Sequence, residues 1–201
     1  MAYFTSTQAR DLLERALDDT LPDVSDDTFL DWLNIINQET YITLSNLDPE
    51  TYITEQTITV ISGTATYALP STFDNIKILG CGLFETDDGT ITDTQLEYTN
   101  RGSTEEGFYI DGGNLVITPT PTASDSLILR YIPELSDIAS VGTSATVIKT
   151  KYRRFLTIAL KLAYEYWDGN TQGEFYEDAR FARAMEDLVS DANKESFIFT
   201  Y

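Results

Sequence analysis

The apolar pattern changes its period twice, and that switch constrains the fold more than any other feature of the chain. Residues 5–47 repeat at helical spacing, residues 54–147 read as strands, and helical spacing returns from Lys151. Helical stripes recur every three to four residues because one turn takes about 3.6, whereas strand faces alternate every second residue. The chain therefore reads as helices, then strands, then helices.

The first helical segment opens on Thr5-Ser6-Thr7-Gln8, the spacing of a capping box, in which side chains satisfy two otherwise unpaired backbone donors. Ala9, Leu12, Leu13, Ala16 and Leu17 then share one face. Leu21-Pro22-Asp23 breaks the pattern, and Ser25 is the next N-cap, followed by Asp26 and Asp27, whose charge suits a helix N-terminus. Phe29, Leu30, Leu33, Ile36 and Asn37 form a second stripe that Asp48-Pro49 ends.

In the middle, residues 57–61 and 64–69 flank Ser62-Gly63 and predict a hairpin. Residues 76–84 read as a strand before the turn Asp87-Asp88-Gly89. Residues 108–111 and 114–118 flank Gly112-Gly113, a second predicted hairpin. Residues 127–132 read as a buried strand, and Pro119 and Pro121 mark an edge or loop. Beyond Lys151, Phe155, Ile158, Ala159, Leu162, Ala163 and Tyr166 form a strong helical stripe closed by Gly169. A fourth helix is predicted over residues 171–193, with Phe175, Ala179, Ala182, Met185 and Leu188 or Val189 on its inner side.

Each terminal helical pair has one apolar face and needs the other pair to cover it. The expected fold is α+β: a helical bundle of residues 1–53 and 150–195, with an antiparallel β-sandwich or small barrel, residues 54–149, inserted between its second and third helices. Residues 196–201 are left as a C-terminal arm.

Charge narrows function. Thirteen Lys and Arg oppose 33 Asp and Glu, a net charge of −20. Such a chain repels nucleic acid unless its cations cluster, and only residues 149–154 are locally basic. No apolar run reaches the ~18–20 residues of a membrane helix. No membrane association is expected, and the N-terminus lacks signal-peptide features. The single cysteine, Cys81, sits among apolar residues and reads as a buried, inert thiol.

The chain has no His, which removes Ser-His-Asp and Cys-His catalysis and the usual zinc sites. Gly80-Cys81-Gly82 is followed by Glu85 where a dinucleotide fingerprint wants Gly. Asp87-Asp88-Gly89 lacks the alternating ligands of a calcium loop and reads as a plain turn. The expectation is a non-enzymatic protein with no cofactor and no metal.

Several stretches stand in a specific order. Phe29-Leu30-x-Trp32-Leu33-Asn34 comes first. Ser62-Gly63-Thr64-Ala65-Thr66-Tyr67-Ala68-Leu69-Pro70 follows, then Phe73-Asp74-Asn75-Ile76. Next is the run from Phe108 through Gly112-Gly113 to Pro119-Thr120-Pro121, then Leu129-Arg130-Tyr131 and a helix led by Tyr152. Across residues 25–190 this order resembles the head-to-tail adaptor proteins of tailed bacteriophages, also called connector or head-completion proteins. Ser71 stands where that family often has Asp.

The resemblance implies a structural virion protein at the head–tail junction, made in the bacterial cytoplasm. It implies a dodecameric ring under the portal protein, a tail protein on the distal side, and a channel through which DNA passes without specific binding. An acidic lumen would let phosphates slide. Glu85, Asp87, Asp88, Asp93, Glu97, Glu105 and Glu106, at turns and loops, are the candidates to line it. Phe197, Ile198, Phe199 and Tyr201, an apolar end after a polar stretch, are the candidates to grip the portal. Tyr164, Trp167 and Phe181 exceed what one apolar stripe needs and are candidates for contacts between neighbouring copies, which are expected to be monomers until docked. Two other readings stay open: another tail ring or baseplate component, and a carbohydrate-binding β module with Tyr52, Tyr67, Tyr98, Tyr109 and Tyr131 as its platform.

Overall fold

The structure is a computed structural model that describes residues 2–18, 23–76, 81–87, 90–169 and 173–196. In chain order the elements are β1 (Tyr3–Thr5), α1 (Ser6–Leu17), α2 (Asp26–Leu47), β2 (Thr54–Val60), β3 (Thr66–Ala68), β4 (Phe73–Asn75), β5 (Gly82–Asp87), β6 (Thr90–Leu96), β7 (Gly107–Asp111), β8 (Asn114–Thr118), β9 (Asp125–Pro133), β10 (Ala145–Lys149), α3 (Arg153–Trp167) and α4 (Ala179–Ser196). They divide between two compact units, Met1–Leu47 with Ser136–Tyr201, and Asp48–Leu135. The fold is mixed α and β, and the paired strands are antiparallel.

In the first unit, α1 starts as its sequence predicts. The Thr5 hydroxyl accepts the Gln8 N–H at 3.2 Å, and the Gln8 side-chain carbonyl accepts the Thr5 N–H at 3.0 Å. Ser25 caps α2 by accepting the Thr28 N–H at 3.1 Å. Arg10 joins the two helices: its guanidinium meets Asp26, donates to the Val24 carbonyl and lies over the Phe29 ring. Phe29, Leu33, Ile36, Leu156, Ala159 and Leu160 are fully buried, and each large side chain contributes roughly 1.5–3 kcal/mol by leaving water.

What the apolar pattern does not reveal is a two-stranded sheet in this unit. β10 pairs with β1, Tyr3 opposite Lys149 and Thr5 opposite Ala145, so residues 145–149 lie with the helices and not in the β module where their composition puts them. The returning segment is sewn down by polar groups. Ser6, fully buried, accepts the Gly142 N–H at 2.8 Å, and its backbone N–H donates to the Ser144 carbonyl. Asn34 exchanges two hydrogen bonds with the Ile138 backbone. Asn37, one turn on, accepts the Val147 N–H at 2.7 Å. Asn37 thus occupies the buried stripe of α2 for hydrogen bonding, not for apolar packing.

The fourth helix begins later than predicted. Residues Phe175–Glu177 form a 3-10 turn, and Asp178 caps α4 by accepting the Arg180 N–H at 2.7 Å. The later start resets the helical phase. Phe181, Ala184 and Leu188 face the core, while Ala179 and Ala182 are exposed. At its other end α4 runs on to Ser196, because residues 190–196 contain no Gly or Pro to stop it.

In the second unit, β9 is the centre of a five-stranded sheet ordered β2–β9–β5–β6, with β4 also on β9. Its buried Leu127, Leu129 and Tyr131 match the strand predicted there. A three-stranded sheet is ordered β3–β8–β7. The β7–β8 hairpin forms as predicted, with both Gly112 and Gly113 at positive φ, the conformation its two-residue turn requires. The hairpin predicted at Ser62-Gly63 does not form. Gly63 makes a turn, but β2 goes to β9 and β3 to β8. The Tyr67 hydroxyl takes up the loop instead, accepting the Ile61 N–H at 3.1 Å and donating to the Thr64 carbonyl at 2.6 Å. Among the described residues no sheet closes into a barrel, since β2 and β6 remain edges of the larger sheet.

Two outcomes follow for stability. Replacing Asn37 with Ala leaves the Val147 N–H without its acceptor, and a lost bond of this kind costs about 1–3 kcal/mol. Chemical denaturation should show that loss, and a variant as stable as wild type would show that the clasp contributes nothing. Asp178 is held down to about 2, chiefly by the Arg180 side chain and then by the Arg180 N–H. Its folded value lies below the unfolded one, about 3.9. The stabilisation is therefore complete above pH ~4 and fades as pH falls toward 2. Melting curves of Asp178→Asn should be lower than wild type at pH 7 and converge with it near pH 2; a constant gap would exclude this linkage.

Candidate functional site

The acidic candidates all lie in the unit Asp48–Leu135, which holds 14 acidic residues against Lys77, Arg101 and Arg130. Glu85 and Asp87 are exposed on β5, because the outer half of that strand alternates away from its buried start at Gly82 and Leu83. Asp93 stands on β6, the partner strand, and Asp88 lies outside the described residues. Glu97 is exposed, and its backbone carbonyl accepts the Phe108 N–H at 2.9 Å, which fixes the crossing between the two sheets. Glu105 and Glu106 are exposed in the loop that enters β7. A cleft of about 280 Å³ brings Glu85 and Glu106 to one lining with Asp125 and the Pro119-Thr120-Pro121 loop. The structure therefore joins part of the set and leaves the rest on separate loops.

Among the described residues, these carboxylates have no ion-pair partner. Arg101 pairs with Asp111 at 3.2 Å. Arg130 donates to Glu50 at 2.8 Å, reaches Glu55 at 3.3 Å and lies over the Phe84 ring. Both described cations of the unit are thus committed elsewhere. Cys81 beside them is buried, and burial pushes its thiol pKa up more than Arg130 pulls it down. It is an inert core thiol, held in a segment where the Gln95 side chain donates to the Cys81 carbonyl.

The five tyrosines do not form one platform. Tyr131 is buried against Phe73, with its hydroxyl 3.3 Å from that of Thr72. Tyr67 closes the loop described above, and Tyr98 packs edge-on to Phe108. Core packing accounts for Tyr131 and loop closure for Tyr67, while Tyr98 stays 47% exposed.

In the helical unit, Phe181 is not available to a neighbour: it is buried against Phe155 and Phe175. Trp167 is 42% exposed and lies between Tyr164 and Trp32, with ring centroids 5.9 Å from each. The sequence reading missed Trp32 as part of this cluster, although the Phe29-Leu30-x-Trp32-Leu33-Asn34 run was its signal. The basic run spans the end of β10 and the start of α3, with Lys151, Arg153 and Arg154 exposed. Beside it a cleft of about 240 Å³ is lined by Tyr152, Phe155, Leu188 and Asp191, among others. The portal-binding candidates Phe197, Ile198, Phe199 and Tyr201 lie outside the described residues.

Among the described residues no group of three or more Cys, Asp or Glu is placed to hold a metal ion, and no helix is long and apolar enough to cross a membrane. A comparison with the curated proteins finds no match. The family model for SU10 adaptor protein matches residues 7–197, nearly the whole chain and both of its compact units. The chain therefore belongs to the SU10 adaptor protein family, in agreement with its likeness to the head-to-tail adaptors of tailed phages.

Proposed function

We propose that this protein is a structural, non-enzymatic subunit of the virion that joins head to tail. Copies of it form a dodecameric ring beneath the portal protein and meet a tail protein on the distal side. The helical unit acts as the bundle that carries the ring, and the β unit is its insert. The observation that carries the reading is the family match across residues 7–197. The segment order around the Gly112-Gly113 hairpin supports it.

Charge supports a passive DNA channel. In this reading Glu85, Asp87, Glu97, Glu105 and Glu106, with Asp88 and Asp93, face the axis. Phosphates are repelled by such a wall, so DNA slides and does not adhere. A lining of unpaired carboxylates is effective within a Debye length, about 8 Å at physiological salt. Replacing Glu85, Asp87, Glu105 and Glu106 with Lys should leave assembly intact and slow DNA ejection. Ejection at the wild-type rate would remove these residues from the channel wall.

The apolar residues Phe197, Ile198, Phe199 and Tyr201 grip the portal in this reading, following α4 as an arm. Repetition around a ring turns a weak arm into a firm joint. Electron microscopy of the protein mixed with its portal should show rings seated on the portal. The chain lacking residues 195–201 should stay folded and fail to attach. Binding to tail-tube protein in place of portal, or full attachment by the truncated chain, would overturn the proposal or the arm respectively.

A further inference from the structure

The start of α3 gathers several cations, with Asp187 and Asp191 of α4 lining the cleft beside them. Lys149, Lys151, Arg153 and Arg154 gather where α3 begins. Arg153 and Arg154 are exposed and, among the described residues, have no acidic partner, unlike Arg10, Arg180 and Lys194. The other end of α3 is built differently. Trp167 projects there against Trp32 of α2. Tyr176, 36% exposed, follows in the 3-10 turn before α4. Glu174, Glu177 and Glu39 lie close enough for their charges to act on its hydroxyl. Trp32 and Glu39 are seven residues apart, two turns along one face of α2, or about 10 Å. The two exposed aromatics therefore flank α2 on the same side, with carboxylates around them.

An exposed Trp and Tyr within an acidic rim is a surface suited to arginine. The rings offer stacking and cation–π faces, the carboxylates offer paired hydrogen bonds, and Trp, Tyr and Arg dominate the energetics of interfaces. This chain carries a fitting partner in its own 149–154 run, but the run cannot reach its own aromatic patch. Arg153 and Trp167 are separated along α3 by about 21 Å at 1.5 Å per residue. At a net charge of −20, copies repel one another over most of their surfaces, so a contact between copies needs exposed cations such as Arg153 and Arg154.

We propose that the occupant of the acidic aromatic patch is a second copy of this chain: the basic start of α3 in one copy docks on Trp167, Tyr176, Glu39, Glu174 and Glu177 of the next. Each copy then uses two different surfaces, the head-to-tail arrangement from which rings close. This deepens the ring reading above and rests on it.

The test is a charge swap on the full-length chain, read by electron microscopy of particles formed with the portal. Circular dichroism first checks that each variant is folded. Arg153→Glu with Arg154→Glu should abolish the ring. Glu174→Arg with Glu177→Arg should do the same, and the four changes combined in one chain should restore it. Wild-type chain that forms no ring on the portal would sink the assembly reading itself. If wild type forms rings, three results would overturn the interface alone: rings that survive Arg153→Glu with Arg154→Glu, loss that the combined variant fails to repair, or retardation of duplex DNA by wild type that the double arginine variant abolishes. The last result would assign the basic run to nucleic acid.

Discussion

The helical unit depends on the chain returning to its own beginning. Residues 2–7 and 138–150 come together through strand pairing and through side chains that serve backbone groups. Ser6 meets Gly142, Thr146 donates to the Phe4 carbonyl, and the Thr150 N–H donates to the Ala2 carbonyl. Every one of these bonds closes a loop of more than 130 residues, so each is gained only after a large loss of chain entropy. Burial makes those of Ser6 and Thr146 hard to give up, since an abandoned polar group there would lie out of reach of water. Asn34 and Asn37 extend the same clasp onto α2. Helices from the two ends of the chain can then share one core.

Local chemistry explains which parts of this fold could be read from the sequence. The capping box at Thr5 and Gln8, the Ser25 cap and the Gly112-Gly113 turn depend on neighbours within a few residues, and the structure forms all three. The β1–β10 pair is invisible at that range. Its shorter strand has three residues, and its paired residues lie 140 or more positions apart. Gly63 illustrates a different gap. A turn signal fixes a change of direction, but which strands then pair is decided by burial of Ile58 and Val60 beside β9, far along the chain. The phase of α4 was lost because a 3-10 turn at Phe175–Glu177 consumed residues assigned to the helix.

The candidate sites divide along similar lines. That Glu85, Asp87, Glu97, Glu105 and Glu106 would be exposed was legible, because turns and outer strand positions impose no burial. That Glu85 and Glu106 would share a cleft was not, since it depends on how two sheets fold over each other. The aromatic candidates show the reverse. Phe181 looks like surface material by count, yet it completes a core. Trp167 stays exposed because Trp32 occupies the inner position beside it. The charge map also follows the units: of the 13 basic residues, ten belong to the helical unit, which leaves the β unit almost purely acidic.

The register of β2 on β9 carries one more consequence. Thr54, near the start of the β unit, stands directly opposite Tyr131, near its end. Facing residues on antiparallel strands are about 4.5–5.5 Å apart. The β unit therefore leaves the helical unit and comes back to it through two adjacent strands of one ladder. Such a module behaves as a cassette. Lengthened hairpins, altered loops or a different charge pattern within it change nothing in the spacing of its two ends. A surface carried on the β unit can diversify while the helical scaffold keeps its geometry.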